Sequence, residues 1–356
     1  MRAWWWLWVC CPGLGSARLS ALRSLAEKSS VGPDELWGWS RDQLRDALAW
    51  PESLLDSVER YRAKQGQRPD LTVPADVLLP GDPLWPDCLN LLDRPPPLLH
   101  CRGRRSLLNR LQLREAIAVV GTRSASNHGL AVAEDLGRAL ARAGWPVISG
   151  LAEGIDAAVH QGCLAEKGSP IGILGTPLDR IYPAHHRSLQ ERVGVSGLLL
   201  SEYGPGSAVR RGHFAARNRL VAQFARALVV VECPERSGAL ISARFAMERS
   251  CPVWAVPGDA RRWSCQGSNA LLQDQAAPLL QPVDFARQLG PGPLTSGDGT
   301  SRQRELLEAV GEGSSFDDLV KRLQCPPGEL AVQLFELECR GELLCESGLN
   351  WKKRRP

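Results

Sequence analysis

Between Ala116 and Gly258 the chain alternates apolar runs with loops whose residues suit an anion. Ala116-Ile-Ala-Val-Val-Gly121 leads into Thr122-Arg123-Ser124, and Pro146-Val-Ile-Ser-Gly150 into Leu151-Ala-Glu-Gly154-Ile-Asp156. Ala227-Leu-Val-Val-Val-Glu-Cys233 leads into Arg236-Ser237-Gly238, and Arg217-Asn218-Arg219 stands at the expected start of the preceding helix. Short continuous apolar runs alternating with helical patterns predict an α/β domain with a parallel sheet. In such a sheet these loops share the carboxyl edge of the strands, where ligands bind. Helix N-termini there offer free N–H groups and a positive dipole end to phosphate.

Two phosphate-binding patterns are excluded. A dinucleotide fingerprint needs Gly-x-Gly-x-x-Gly at the first turn, so that backbone meets the pyrophosphate. Here the turn reads Gly121-Thr-Arg-Ser-Ala-Ser-Asn-His-Gly129, with Arg123 near the place of the second glycine. A P-loop needs Gly-Lys-Ser/Thr, and that tripeptide is absent. An arginine in the first turn suits a bulky polyanion reaching the sheet edge. Taken alone, Arg123 fits equally well as a helix cap or a carboxylate partner. Arg123, Arg217 and Arg219 on one expected edge favour a ligand role.

The 356 residues allow two or three domains, and the formal net charge of only +4 means that nucleic-acid affinity must come from local patches. The basic end, Trp351-Lys-Lys-Arg-Arg-Pro356, is one small patch. Eleven cysteines, an odd number without a Cys-x-x-Cys pair, fit neither a disulfide framework nor a zinc site. They place the chain in a reducing compartment, the cytoplasm, with no metal or other cofactor expected. His160 and Cys163 share a helix face, where packing is the simpler reading. Met1-Arg-Ala-Trp-Trp-Trp-Leu-Trp-Val-Cys10 is too short for a bilayer span of ~18 apolar residues and lacks a clean cleavage site. Trp4 to Val9 instead reads as the buried face of a first helix. Pro12-Gly13-Leu14-Gly15 then resembles the hairpin of a helix-hairpin-helix unit.

Five segments follow. Residues 1–70 predict a small helical N-terminal domain, and residues 71–115 an irregular, proline-rich connector around Asp93-Arg-Pro-Pro-Pro97. Residues 116–289 form the sheet domain, with further strands at Pro170–Gly175, Gly197–Ser201 and Pro252–Val256. In the helix after the first strand, Val132, Leu136 and Leu140 make one buried stripe. Residues 290–300 are a glycine- and proline-rich linker. Residues 301–356 predict helices from Arg302, from Ser315 and from Pro327, then a hairpin from Glu342 to Trp351: a winged helix. Its third helix carries Glu329, Glu336 and Glu338 against Arg340, a balance that favours protein contact over reading duplex DNA.

With these motifs in order, the chain resembles the DNA-processing protein A family (DprA, also called Smf) over nearly its whole length. The resemblance rests on Gly81-Asp82-Pro-Leu-Trp85-Pro86, Arg94-Pro-Pro-Pro97 and Gly121-Thr-Arg-Ser124, then Ser149-Gly150 with Gly154-Ile-Asp156 and His160. It continues through Ile181-Tyr182-Pro183, Ser201-Glu202-Tyr203, Phe214 with Arg217-Asn218-Arg219, Ser237-Gly238, Val256-Pro257-Gly258 and Gly267-Ser-Asn269. The chain departs at Pro177, Ala215 and Gln275-Ala276, where the family usually has other residues. The resemblance implies an extended Rossmann-like domain, single-stranded DNA binding, homodimerisation through that domain and delivery of the strand to the RecA recombinase in natural transformation. No membrane partner is implied.

Single-stranded DNA binding needs cations along a groove and a flat surface for bases. Arg123, Arg217 and Arg219 are the expected cations, with Asn218 between the last two; Phe214 is the stacking candidate the resemblance favours, though by itself it reads as a core aromatic. Gly150, Gly154 and Gly238 allow backbone N–H groups to approach phosphate, and Ser124 and Ser237 donate to phosphate or cap their helices. Asp156 reads as a cap or as the partner of Arg123, and His160 as a supporting residue; neither is expected to be catalytic. The rival class is an enzyme, a nucleotide-sugar hydrolase of the lysine-decarboxylase-like group, with Asp156 and His160 recruited for hydrolysis. That group carries Pro-Gly-Gly-x-Gly-Thr, whereas Pro234-Glu-Arg-Ser-Gly238 stands here.

Overall fold

The structure is a computed structural model that describes residues 1–66, 69–295, 306–311, 313–323, 325–339 and 342–353. The chain divides into two compact units, Met1–Pro293 and Leu294–Pro356.

The larger unit opens with five helices: α1 (Arg2–Cys10), α2 (Ser16–Ser29), α3 (Pro33–Gly38), α4 (Arg41–Leu48) and α5 (Glu52–Gln65). Their core is Trp8, Leu19, Leu22, Leu36, Leu44, Trp50, Leu54, Leu55 and Val58. Trp8 is wholly buried, and its Nε1 donates to the Pro33 carbonyl (2.9 Å). Its ring meets Trp37 edge-on with centroids 5.0 Å apart, and the Arg62 guanidinium lies 5.1 Å from it. Ser40 and Gln43 form a reciprocal capping box that starts α4. The expected boundary at residue 70 does not separate two compact units. Trp5, Trp6 and Val9 pack on Val77, Leu79 and Leu98, and Arg2 pairs with Asp82 at 2.7 Å.

The expected connector is also more regular than its prolines suggest. It contributes two strands, β1 (Val77–Leu78) and β2 (Leu99–Gly103), antiparallel to each other, with β2 also antiparallel to its inner neighbour. The other strands are β3 (Ile117–Val120), β4 (Val147–Ser149), β5 (Pro170–Leu174), β6 (Leu198–Ser201), β7 (Ala227–Val230), β8 (Val253–Ala255) and β9 (Ala277–Pro278). The sheet runs β1-β2-β6-β5-β4-β3-β7-β8-β9 and is parallel from β6 to β9. Ile117, Ala118, Val119 and Val120 are all buried, as a strand covered on both faces requires.

The helices of this part are α6 (Leu107–Gln112), α7 (Asn127–Arg142), α8 (Ile155–Ala165), α9 (Arg187–Ser196), α10 (Arg211–Gln223), α11 (Gly238–Glu248), α12 (Gln266–Asp274) and α13 (Pro282–Leu289). Leu136 and Leu140 of α7 pack with Ile117, Val119, Val147, Val159 and Val229 in the main core. The chain leaves β3 toward β4 on one side and returns to β7 on the other. That order reversal opens a crevice at the carboxyl edge between the β3 and β7 loops.

The second unit contains α14 (306–310), β10 (Ser314–Ser315), α15 (Phe316–Leu323), α16 (Pro327–Cys339), β11 (Leu343–Glu346) and β12 (Asn350–Lys353). Its sheet is antiparallel in the order β10-β12-β11, over a core of Leu306, Val310, Leu319, Leu330, Leu334, Leu337, Leu343 and Trp351. The helix expected from Pro327 and the hairpin expected from Glu342 are present. Residues 296–300 of the linker, the helix start at Arg302, Arg340 and the last three residues of the basic end lie outside the described residues. Among the described residues no helix is long and apolar enough to cross a membrane.

Because Trp8 joins α1 to α3 and α5, its truncation empties the centre of the helical layer. Trp8→Ala is expected to lower the stability of the larger unit by about 3–5 kcal/mol, read from the urea midpoint. An unchanged midpoint would contradict this packing.

Candidate functional site

The crevice is a cleft of about 530 Å³. The β3–α7 loop supplies Gly121, Thr122 and Arg123; β4 is followed by Gly150 and Ala152; α8 supplies Asp156. Helix α10 supplies Arg211, Phe214, Arg217 and Asn218, and the β7–α11 loop supplies Pro234, Arg236, Ser237 and Gly238. Four arginines and one acidic residue, Asp156, line it, so its charge is positive.

Arg217 forms the floor. It is 4% exposed, and its Nη1 donates to the Ile173 carbonyl of β5. The guanidinium lies so close to Gly150 that any Cβ there would overlap it. Burial draws its pKa down, the Asp156 charge opposes that shift, and the neighbouring charge of Arg123 adds to it. Asp156 is buried as well. Its carboxylate accepts from the N–H groups of Gly150 (3.1 Å) and Ala152 (3.4 Å). Burial pushes its pKa up, and Arg217 is the main influence drawing it back. Asp156 is therefore the counter-charge of Arg217, where the sequence suggested a pairing with Arg123.

Arg123 is exposed and pairs with no carboxylate among the described residues. Its guanidinium lies 5.3 Å from the centroid of Phe214, a cation–π contact. Phe214 is half-buried and leans on Tyr182, with centroids 5.1 Å apart. Tyr182 remains 48% exposed, so a cation and two aromatic rings meet solvent together. Asn218 donates through Nδ2 to the Gly238 carbonyl (2.9 Å) and joins α10 to α11 at the cleft wall. Ser237 caps α11, its hydroxyl accepting from the Ala239 N–H at 3.2 Å.

Three expected site residues stand elsewhere. Arg219 holds Glu202 through two nitrogens, at 2.5 and 2.6 Å, and donates to the Arg94 carbonyl at 3.0 and 3.1 Å. It fastens the connector to α10. On a helix, residues two apart point in nearly opposite directions, so Arg217 and Arg219 cannot both face the cleft. Gly154 starts α8 at φ +76°, with the Thr122 carbonyl where a Cβ would be, and faces a groove between α7 and α8. Ser124 is exposed beside the cleft, its N–H on the Thr122 hydroxyl at 3.3 Å. Tyr182 and Arg211 are the lining residues that sequence reasoning did not single out, and Arg236 it named only as part of the anion-suited loop after β7. Arg211 had a signal: it precedes Phe214 by one helical turn.

His160 is wholly buried, and among the described residues neither ring nitrogen has a hydrogen-bond partner of normal geometry. Burial is the chief cause that takes its pKa down to about 4. Cys163 is buried on the same helix, its thiol pushed up to about 12 by burial. Neither is poised as a nucleophile or base.

A profile of DNA recombination-mediator protein A matches residues 76–290. The chain belongs to the DprA/Smf family. Protein Smf of Synechocystis sp. is 33% identical over 402 aligned residues, which cover 99% of each chain. The crystal structure of DprA from Streptococcus pneumoniae superposes with a TM-score of 0.67 at 28% identity, over 80% of this chain and 97% of that one. A structure of DprA from Helicobacter pylori, concerned with that protein's single-stranded DNA binding mode, gives a TM-score of 0.52 at 30% identity over 58% of this chain and 92% of that one. The large, mostly parallel sheet is thus the DprA fold.

The buried His160 makes stability depend on pH in this family member. Unfolded, the imidazole takes up a proton below about 6.5; folded, it stays neutral down to about 4. Stability is therefore lost as pH falls between those values, by about 3 kcal/mol in all. Denaturation of the parent and of His160→Leu at pH 7.5 and 4.5 should show a much smaller loss in the variant. Equal losses would mean that His160 does not carry the effect.

Proposed function

We propose that this chain is a single-stranded DNA-binding protein that protects incoming DNA and loads the RecA recombinase onto it during natural transformation. The observation that carries this reading is the exposed Arg123 guanidinium resting on Phe214, with Tyr182 beside it. Bases stack on such rings whatever their sequence, and the arginines hold the phosphates. Arg211 and Arg236 extend the cationic lining, and Ser237 and Gly238 present the N-terminus of α11 to it. Arg217 keeps an Nε without a partner at the cleft floor. Arg219 is assigned to holding Glu202, and Gly154 to seating α8. Membership in a family with a DprA studied for its single-stranded DNA binding supports the same reading.

We read the chain as a binder and not an enzyme. The two residues a hydrolase would recruit are spent elsewhere: Asp156 balances Arg217, and His160 faces the core. We further propose a cytoplasmic homodimer that associates through the sheet unit. The Leu294–Pro356 unit is read as a winged helix used for protein contact, since Val332 and Phe335 lie exposed on α16 beside Glu336.

Fluorescence anisotropy with labelled oligo-dT tests the binding. Arg123, Arg211 and Arg236 together predict a log–log salt slope of about −2 or steeper, at ~0.7 per phosphate neutralised. Duplex of equal length should bind more weakly. Phe214→Ala should weaken oligo-dT about 5- to 100-fold with the slope unchanged, because stacking releases no ions. Equal affinity for duplex, or binding insensitive to salt, would defeat the proposal.

A further inference from the structure

The loop after β8 lies on the same carboxyl edge, because β3, β7 and β8 are parallel neighbours. It runs Gly258-Asp-Ala-Arg-Arg-Trp-Ser-Cys265. Trp263 is 65% exposed, an unusual position for so large a ring. Arg261 and Arg262 beside it are exposed, and neither guanidinium has an ion-pair or hydrogen-bond partner among the described residues.

The loop is nevertheless held firmly. Asn269 accepts from the Gly258 N–H at 3.0 Å and donates to its carbonyl at 3.1 Å. The Asp259 carboxylate accepts from the Arg261 N–H at 2.8 Å. The Cys233 carbonyl accepts from the N–H groups of Gly267 (2.8 Å) and Ser268 (3.2 Å), which fastens the start of α12 to the β7 loop. Trp263 is thus presented by a fixed turn, so that little further ordering is needed when something stacks on it.

A recess of about 350 Å³ lies beside this loop; it shares no lining residue with the cleft, and Glu232 and Asp259 are among its walls. Arg262 lines it together with Ser126 and His128, from the α7 start that follows Arg123. Strands in the sheet are ~4.8 Å apart, so the β8 loop is only about 10 Å along the edge from the β3 loop.

We propose that Trp263, flanked by Arg261 and Arg262, is a second base-stacking platform that extends the single-stranded DNA track beyond the Arg123–Phe214 cleft. This rests on the single-stranded DNA reading above. The ligand is the stretch of strand that continues from the cleft: bases stack on Trp263 and phosphates meet the two arginines. An exposed tryptophan beside arginines also suits protein contact. Two uncommitted guanidinia on the edge that already holds the cationic cleft favour the polyanion.

The full chain is titrated with oligo-dT of about 6 and about 20 nucleotides, lengths that fall below and beyond the span of one small binding face. Trp263→Ala should weaken the longer strand about 5- to 100-fold and leave the shorter one unchanged, while Trp263→Phe should retain most of the affinity. Arg261→Ala with Arg262→Ala should reduce the salt slope for the longer strand by ~1.4. Trp263 is exposed, so the variants should melt with the parent. If Trp263→Ala binds the longer strand as the parent does, the platform is refuted. If it instead alters self-association with DNA binding intact, the loop is a protein contact and the proposal is equally refuted. Failure of the cleft reading is separately visible, as a parent whose affinity for the short strand is unmoved by Phe214→Ala.

Discussion

The site depends on one buried arginine. Arg217 reaches from α10 to the Ile173 carbonyl of β5, rests against Gly150 at the end of β4 and faces Asp156 in the first turn of α8. Helix α10, strand β5 and the β4–α8 connection are thereby brought to one point. The hydrogen bond from Arg217 to β5 fixes geometry: it holds α10 so that Phe214, one turn earlier, meets Arg123 from the β3 loop. The Arg123–Phe214 contact that faces solvent is thus supported by the buried arginine beneath it.

This arrangement separates the arginines by role. Among the described residues Arg123 is free of carboxylates and touches an aromatic ring, Arg217 is a buried strut, and Arg219 is a fastener on Glu202 and the Arg94 carbonyl. As letters in a sequence the three are equivalent. Helical geometry sets Arg217 and Arg219 on opposing faces, and the sequence-level expectation of three cations on one edge did not apply that period. Desolvation then decides the rest, since a guanidinium kept from water needs a counter-charge, and Asp156 is the carboxylate on the cleft side that provides it.

Legibility followed how local each signal is. The strands from Ile117 to Ala255 were readable because each is a short apolar run ended by glycine, proline or a polar turn. The carboxyl-edge location of Arg123, Gly150, Ser237 and Gly238 followed from that pattern, whereas Phe214 read as a core aromatic without the family resemblance. Strand β1, in contrast, is two residues long and exists because Val77 and Leu78 pair with His100 and Leu99. No window of sequence shows such pairing, and the surrounding prolines argued for irregular chain. Tyr182 entered the sequence reading only within a short motif; its contact with Phe214 joins segments about thirty residues apart in the chain. The fusion of the N-terminal helices with the sheet unit likewise arises from Trp5, Trp6 and Arg2 reaching residues near 80.

The central claim is that Arg123, held on Phe214 and free of any carboxylate among the described residues, is a phosphate contact. The most direct measurement is the salt dependence of oligo-dT binding by Arg123→Ala, after circular dichroism and melting have shown the variant folded like the parent. The account predicts weaker binding to every strand sequence alike and a log–log slope smaller in magnitude by ~0.7, the contribution of one counterion. A folded variant that binds oligo-dT with the affinity and slope of the parent would contradict it.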